Sequence, residues 1–270
     1  MPLLWLRVAL VFYGFGLLYA LLTLTGRGRA LARLTVPAVA AGVVFHFVSL
    51  AEAAMATGQL TPISLYHSES LLAFLVMVFF LVVYWRYQTT APGIFVFPLA
   101  FLLTFSSAIG QQPPEFASPL MRSGWIVTHI GLIFTGYAAL FLSFAASLLY
   151  LLQESRLKAK RTHGVLARLP ALEVIDEIGY RSLLLGFPFM TLGLLAGSVV
   201  AAQQFGPSYL LDPKVLLSLV MWALYMVLLY TRWSAGWRGR RAAFLSTVAF
   251  VVAVGAWAAN YFSEVHRFTP

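Results

Sequence analysis

Five histidines carry the most informative chemistry in this sequence. They are His46, His67, His129, His163 and His266. A neutral imidazole is a common ligand for transition metals and a strong axial ligand for iron. His163 lies in a basic segment, where we expect it to be solvated. The other four lie in or beside long apolar segments, where an ionisable residue is a pointer to function.

Eight apolar segments must position these histidines. Of the 270 residues, 61% are hydrophobic and only 10% are charged, and the mean hydropathy is +0.86. A soluble domain carries about a quarter charged residues, so this composition predicts an integral membrane protein. The segments are 3–24, 33–57, 69–88, 92–110, 125–152, 180–204, 213–232 and 242–263. Each approaches or exceeds the ~20 residues that span a bilayer core. We therefore expect an all-α membrane protein, an eight-helix transmembrane bundle forming a single domain over 1–270.

The basic residues predict how this bundle is oriented. Of the 18 basic residues, 14 fall in the connections after the first, third, fifth and seventh segments or at the segment ends that border those connections. Basic residues concentrate on the cytoplasmic side, so both termini are predicted to lie on the non-cytoplasmic side. The net charge of +9 then reflects topology and contact with anionic lipid. No nucleic-acid partner is expected. We expect a multi-pass protein of a cell membrane, the inner or plasma membrane of a bacterium.

Two histidines fall at one depth near the predicted outer surface. His129 lies one turn inside the outer end of the fifth segment, and His266 lies at the outer end of the eighth. Two imidazoles from facing helices can hold a haem between them. His46, in the middle of the second segment, and His67, in the outer loop before the third, are further candidates. The alternative for a single membrane histidine is a hydrogen bond to the backbone of a neighbouring helix.

Aromatic residues near the same surface suit a flat, apolar cofactor, which would stack on their rings. They are Trp125, Phe205, Tyr209, Trp257, Tyr261 and Phe268. The alternative explanation is the aromatic belt that membrane proteins commonly carry. Among them, Asp212 and Pro213 predict the start of a helix, because Asp caps free N–H groups and Pro fits the first helical position. Lys214 follows and offers a positive charge to an anionic group such as a propionate.

Other functions remain open from the residues alone. A zinc or copper site lacks support, because the sequence has no cysteine, no Met-rich outer loop and no His-x₃-His pair. Ion or metabolite transport would need carboxylates within the spans, and Glu52 and Glu69 are the candidates. Gly193 and Gly197 form a face of small residues suited to helix packing, to which we assign no function.

A basic segment at 154–181 interrupts the pattern of short connections. Within it, apolar residues recur every three positions from Leu166 to Ile178, with acidic residues between them. This spacing predicts a short amphipathic helix on the cytoplasmic membrane surface. We therefore expect a cytoplasmic amphipathic loop at 154–180. A solvated connector is the alternative.

Four stretches, in order along the chain, resemble a known family. They are GWIVTHIGLIFTGYAALFLSFAASLLYLLQE, ARLPALEVIDEIGYRSLLLGFPFMTLGLLAGSVVA, FGPSYLLDPKVLLSLVMWALYMVLLYTR and NYFSEVHRF, and together they cover about 125–268. The sequence is similar to the cytochrome c assembly protein family, the haem-handling superfamily that includes the CcsA and CcmC proteins. Within that superfamily it most resembles the HemX-like branch. A weaker likeness extends upstream to the region around His46.

The resemblance implies a haem site. In the family, a Trp-rich outer loop is a platform for haem, and the two histidines that flank it in sequence are axial ligands of the iron. By this resemblance the axial ligands are His129 and His266. The cofactor-binding residues that we expect are His129, His266, His46, Trp125, Phe205, Tyr209 and Lys214.

This sequence departs from the family pattern at three positions. Phe205 and Leu211 stand where tryptophans are expected, and Tyr230 stands where a second intramembrane histidine is expected. These departures favour haem binding over haem attachment to cytochrome c. The haem that the resemblance leads us to expect is b-type and non-covalently bound. The expected role is handling, exporting or sensing haem at the outer face, without enzymatic activity and without catalytic residues.

A second function is implied by the likeness to HemX. It is a membrane regulator of haem biosynthesis that acts on the level of glutamyl-tRNA reductase without stable haem binding. The expected partners are membrane lipid, haem, and either cytochrome c maturation proteins or a cytoplasmic enzyme of haem biosynthesis.

Overall fold

The computed structural model describes residues 2–25, 27–28, 31–58, 64–110, 123–160, 169–259 and 262–263. In this part of the chain there are eight α-helices and a 3-10 helix between the sixth and seventh. The α-helices are α1 Pro2–Leu24, α2 Ala32–Thr57, α3 Leu65–Tyr87, α4 Gly93–Ile109, α5 Gly124–Lys158, α6 Leu172–Phe205, α7 Pro213–Ser234 and α8 Arg240–Ala258. The 3-10 helix is Gly206–Leu211. The prediction of an all-α, multi-pass membrane protein is confirmed.

Seven of the described helices are long and apolar enough to cross a membrane, and α4 is shorter. It has 17 residues, which at ~1.5 Å per residue gives a length of about 26 Å. A bilayer core is about 30 Å thick. The helix begins after Pro92 and ends before Gly110. An eighth full span stays a prediction.

The connection between α5 and α6 is shorter than the sequence pattern indicated. The fifth helix continues to Lys158, whose ammonium contacts Glu154 one turn earlier at 2.7 Å. The sixth begins at Leu172, so 172–180 form the first turns of a membrane-length helix rather than part of a separate loop. Leu166, in the predicted amphipathic helix, lies outside the described residues. The position of this segment on the membrane surface stays a prediction.

The chain divides into two compact units. The first comprises Met1–Ser118 and Leu152–Val174. Its core is aromatic: the Phe80 and Phe97 rings meet edge to face with centroids 4.6 Å apart, and both are fully buried. The Tyr19 hydroxyl shares a hydrogen bond of 2.8 Å with the hydroxyl of Thr90. These contacts join α1, α3 and α4 and the turn that precedes α4.

The second unit comprises Pro119–Leu151 and Ile175–Pro270. Its core is built from α5, α6, α7 and α8, because each of these helices buries one apolar stripe. The buried residues of this core are Leu140, Leu183, Met190, Met221, Tyr225, Leu228, Leu229, Ala242, Ala249 and Ala253. The single domain over 1–270 that the sequence predicts stays a prediction.

A charged cluster ties together one end of the second unit. The Asp176 carboxylate accepts two hydrogen bonds from Arg232, at 2.7 and 3.2 Å, and one from the backbone N–H of Gly239 at 3.1 Å. The Arg232 guanidinium also lies over the Tyr180 ring, 4.5 Å from its centroid. We call these four residues the Asp176 cluster. It holds α6, the end of α7 and the start of α8 together.

Candidate functional site

The opposite end of the second unit carries His129. There the start of α5, the last turns of α6, the 3-10 helix and the start of α7 come together with Ser263, which follows α8. The Ser263 hydroxyl donates to the Asp212 carboxylate at 2.9 Å, which fixes the start of α7 against the residues after α8. We call this region the His129 end.

His129 has one nitrogen bound by the protein. Its Nδ1 lies 2.7 Å from the carbonyl oxygen of Gly193 on α6. A carbonyl oxygen only accepts hydrogen bonds, so Nδ1 carries the proton and Nε2 carries the lone pair. No described residue hydrogen-bonds Nε2. The side chain is only partly buried. This imidazole is therefore in the tautomer that a metal ligand needs.

Lys214 and Asp212 lie at the start of α7. The Asp212 carboxylate accepts from the backbone N–H groups of Lys214 and Val215, and Pro213 takes the first helical position. The helix start predicted from Asp212 and Pro213 is confirmed. Lys214 is partly buried, and its ammonium is close enough to His129 to act on it electrostatically. One cation therefore lies in the neighbourhood of the imidazole.

An exposed apolar surface adjoins these groups. All six residues of the 3-10 helix stay at least partly exposed. Leu211 is 78% exposed, Phe205 is 44% exposed, and Trp125 at the start of α5 is 56% exposed. Tyr209 is partly buried. The chain thus places the predicted aromatic residues Trp125, Phe205 and Tyr209 at the His129 end.

His266, the second predicted axial ligand, lies outside the described residues, as do Tyr261 and Phe268. Its pairing with His129 stays a prediction. The nearest described residue on the chain is Ser263, which is fully buried at the His129 end.

His46 belongs to the first unit and is fully buried there. Its Nδ1 lies 3.2 Å from the Tyr13 hydroxyl, and its Nε2 lies 2.8 Å from the Ser70 hydroxyl. The Phe74 ring meets the imidazole edge to face, with centroids 5.7 Å apart. Both ring nitrogens are therefore engaged by side chains of α1 and α3. These contacts favour a hydrogen-bonding role between helices, and the predicted ligand role has no support from them.

The remaining polar candidates also lie in the first unit. His67 accepts or donates a hydrogen bond of 2.8 Å with the hydroxyl of Ser64, the residue that caps α3. The Trp5 indole N–H donates to the Glu52 carboxylate at 3.0 Å. Glu69 has one buried carboxylate oxygen without a hydrogen-bond partner among the described residues.

Two residues of the His129 end were not predicted from the sequence as part of a site. The Gly193 carbonyl oxygen binds His129, and Gly197, one turn further along α6, faces the same ring. Both glycines were recognised as a small-residue face. The signal that could have linked them to His129 is that an imidazole can enter a helix interface only where its neighbour is small.

The fold and the His129 end define a class: an all-helical, multi-pass membrane protein that holds an imidazole beside an exposed apolar turn and a cation. A family model described as cytochrome C assembly protein matches residues 62–257. The chain belongs to the cytochrome c assembly protein family, as the resemblance predicted. The matched region contains α3 to α7 and nearly all of α8, and so includes His129 and the 3-10 helix.

Individual relatives carry two names. The chain is 29% identical to the cytochrome c biogenesis protein CcsA of Guillardia theta over 207 residues, covering 68% of both chains. It is 33% identical to protein HemX of Brevibacillus brevis over 151 residues, covering 56% of both chains. It is also 32% identical to CcsA of Parasynechococcus marenigrum over 174 residues, covering 56% of this chain and 57% of the relative.

Proposed function

We propose that this protein binds haem at the His129 end of its second unit and handles, exports or senses it at the outer face of a cell membrane. The imidazoles of His129 and His266 would hold the haem iron. The protein acts as a binding protein and not as an enzyme. Bound haem would supply an iron centre whose axial ligands come from the chain.

The single observation that carries this proposal is the state of His129. Its Nδ1 is held by Gly193, and its Nε2 has no hydrogen-bond partner among the described residues. A metal-ligating histidine commonly donates its other ring N–H to a backbone carbonyl, which fixes the ring and its tautomer. The contact of His129 with Gly193 has this form.

The surroundings of His129 fit a haem group. Haem needs apolar surface for its ring, and Phe205, Leu211 and Trp125 offer exposed apolar side chains at this end. Its propionates need cations, and Lys214 is near His129. The chain contains no cysteine, so it cannot form thioether bonds to a haem. We therefore propose a non-covalent, b-type haem.

The distribution of basic residues supports the membrane orientation that we propose. The basic residues in the connections after α1, α3, α5 and α7 favour a cytoplasmic location for those connections. The His129 end, with the starts of α5 and α7, then faces outward. We propose a location in the inner or plasma membrane of a bacterium. Family membership favours cytochrome c maturation proteins as partners.

The alternative is a regulator of haem biosynthesis that binds no stable haem and contacts a cytoplasmic enzyme. The similarity to a relative named HemX favours it. The two functions differ in one property: only the first requires that the purified protein hold haem.

The test is the absorption spectrum of the purified protein with stoichiometric haem. We expect a six-coordinate, low-spin spectrum in the wild type. His129→Ala and His266→Ala should each give a five-coordinate or haem-poor protein that added imidazole restores in part. His67→Ala is the matched control, because His67 lies in the first unit and hydrogen-bonds its own helix cap; its spectrum should match the wild type. A wild-type protein that binds no haem would favour the regulatory alternative.

A further inference from the structure

The space that His129 occupies exists because one residue of α6 has no side chain. A Cβ atom on Gly197 would lie 2.5 Å from both Nδ1 and Cε1 of His129. Non-bonded atoms prefer separations of ~3.5–4.0 Å. Any side chain at 197 therefore competes with the imidazole for the same volume.

The neighbouring glycine plays a different part. Gly193 supplies the carbonyl oxygen that holds Nδ1, and a Cβ atom there would meet Ile133 at 2.8 Å and the backbone of α5 at 3.0 Å. Gly193 thus sets how closely α5 and α6 approach. Gly197 faces the ring itself, so its effect on His129 is separable from helix packing.

We propose that Gly197 is a positioning residue for His129. It leaves the ring in reach of the Gly193 carbonyl, so that Nδ1 stays protonated and Nε2 is the nitrogen presented to a ligand. This inference rests on the proposed function for the identity of the ligand, haem iron, and on the geometry alone for the position of the ring.

The Gly197→Ala variant should fold. Alanine is a better helix former than glycine, and the atoms that the new Cβ meets belong to a side chain that can rotate away. The ring then loses its place beside Gly193 while the helices stay packed. The substitution displaces the His129 imidazole without removing it.

Two matched variants separate this effect from the general cost of a methyl group. Gly131→Ala lies on α5 two residues from His129, and its Cβ meets nothing within 4 Å. Gly136→Ala places a Cβ 3.1 Å from the backbone nitrogen of Met190 on α6. It perturbs the packing of α5 against α6 and does not touch His129.

The first measurement is a haem titration of the purified proteins. We expect Gly197→Ala to bind haem roughly ten- to a hundredfold more weakly, the usual effect of losing a residue that supports a metal ligand, with a larger high-spin fraction that imidazole reverses. Gly131→Ala should match the wild type, and any loss in Gly136→Ala should not be reversed by imidazole. Wild-type affinity and spin state in Gly197→Ala would overturn the proposal.

The second measurement needs no haem. Gly197→Ala is introduced into the wild type and into His129→Ala, and the Tm of each haem-free protein is recorded. We expect Gly197→Ala to lower Tm only where the imidazole is present. An equal change in both backgrounds would mean that Gly197 serves helix packing alone, and the proposal would fail. If the wild type binds no haem but this coupling is found, the positioning role stands and the proposed haem function fails.

Discussion

At the scale of the residue, His46 and His129 differ in the hydrogen bonds that their ring nitrogens make. His46 gives both nitrogens to hydroxyl groups of neighbouring helices, whereas His129 gives one to a backbone carbonyl. A buried imidazole with two partners is a bridge between helices. An imidazole with one nitrogen on a backbone carbonyl, and no hydrogen-bond partner for the other nitrogen among the described residues, has the arrangement that metal-ligating histidines commonly show.

Substitution of His46 tests this difference. His46→Ala leaves the Tyr13 and Ser70 hydroxyls without their partner, and each such loss costs about 1–3 kcal/mol. We expect a lower Tm and an unchanged haem spectrum, with His46→Gln intermediate in Tm because an amide can replace part of the network. The measurements are thermal unfolding in detergent and absorption spectroscopy. A changed spectrum in both variants would restore His46 as a ligand.

We expect Lys214 to affect how tightly haem is retained and not how the haem iron is coordinated. We propose that its ammonium pairs with a propionate, an interaction of charged hydrogen-bonding groups worth about 1.5–3 kcal/mol. Lys214→Glu should therefore weaken haem affinity roughly tenfold or more and leave the low-spin spectrum intact. Lys158→Glu is the control, since Lys158 lies in the first unit and pairs with Glu154. Equal affinity in the wild type and Lys214→Glu would rule out the propionate contact.

The residues of this site could be predicted only in part from the sequence. Asp212 and Pro213 could be assigned because a capping signal is local. His129 could be singled out because an ionisable residue in an apolar segment is conspicuous. Its partner could not, because Gly193 is 64 residues away and contributes a backbone atom, which no residue type reveals. The room that Gly197 leaves for the His129 ring likewise depends on how α5 and α6 pack.

At the scale of the element, the boundaries of α5 and α6 show where a local pattern misleads. The acidic residues Glu173, Asp176 and Glu177, which lie between the apolar positions, suggested a separate amphipathic segment before the sixth span. One of them is instead neutralised within the fold, because Asp176 pairs with Arg232 from α7. The apolar positions at Ile175 and Ile178 are buried and continue the stripe of α6. The pattern was helical, and only its separation from the span was wrong.

The Asp176 cluster should stabilise the second unit. The two side chains keep only 17% and 10% of their surface exposed, so Asp176→Ala leaves a largely buried cation without its partner. Breaking such a pair costs about 3 kcal/mol, which we expect as a clear fall in Tm. The double variant Asp176→Ala with Arg232→Met should recover most of it. Glu177→Ala, which removes the exposed pair with Arg181, is the control and should change little. No loss in Asp176→Ala would show that the cluster contributes nothing.

At the scale of the whole molecule, family membership supports the assignment of the site, and the charge distribution supports the topology. The family match covers residues 62–257, so it includes the His129 end but not α1, α2 or His46. The class of helical membrane protein could be predicted from composition, because a chain that is 61% hydrophobic with long apolar segments is typical of that class. The division into two units could not, because it depends on contacts between distant helices.

Topology is the prediction that belongs to this scale. Both termini should face away from the cytoplasm, because basic residues concentrate in the connections after α1, α3, α5 and α7. Alkaline phosphatase fused after Pro270 should be active, since it folds only outside the cytoplasm, and the same enzyme fused after Lys160 should be inactive. The opposite pattern would move the His129 end to the cytoplasmic side and remove the basis for handling haem at the outer face.

The most direct test of the central claim is electron paramagnetic resonance of the oxidised, haem-loaded protein. We predict the low-spin ferric signal of two imidazole ligands in the wild type. In His129→Ala this signal should give way to a high-spin signal and return on addition of imidazole. A low-spin signal that persists unchanged in His129→Ala would contradict the account, because the iron would then take its ligands from elsewhere.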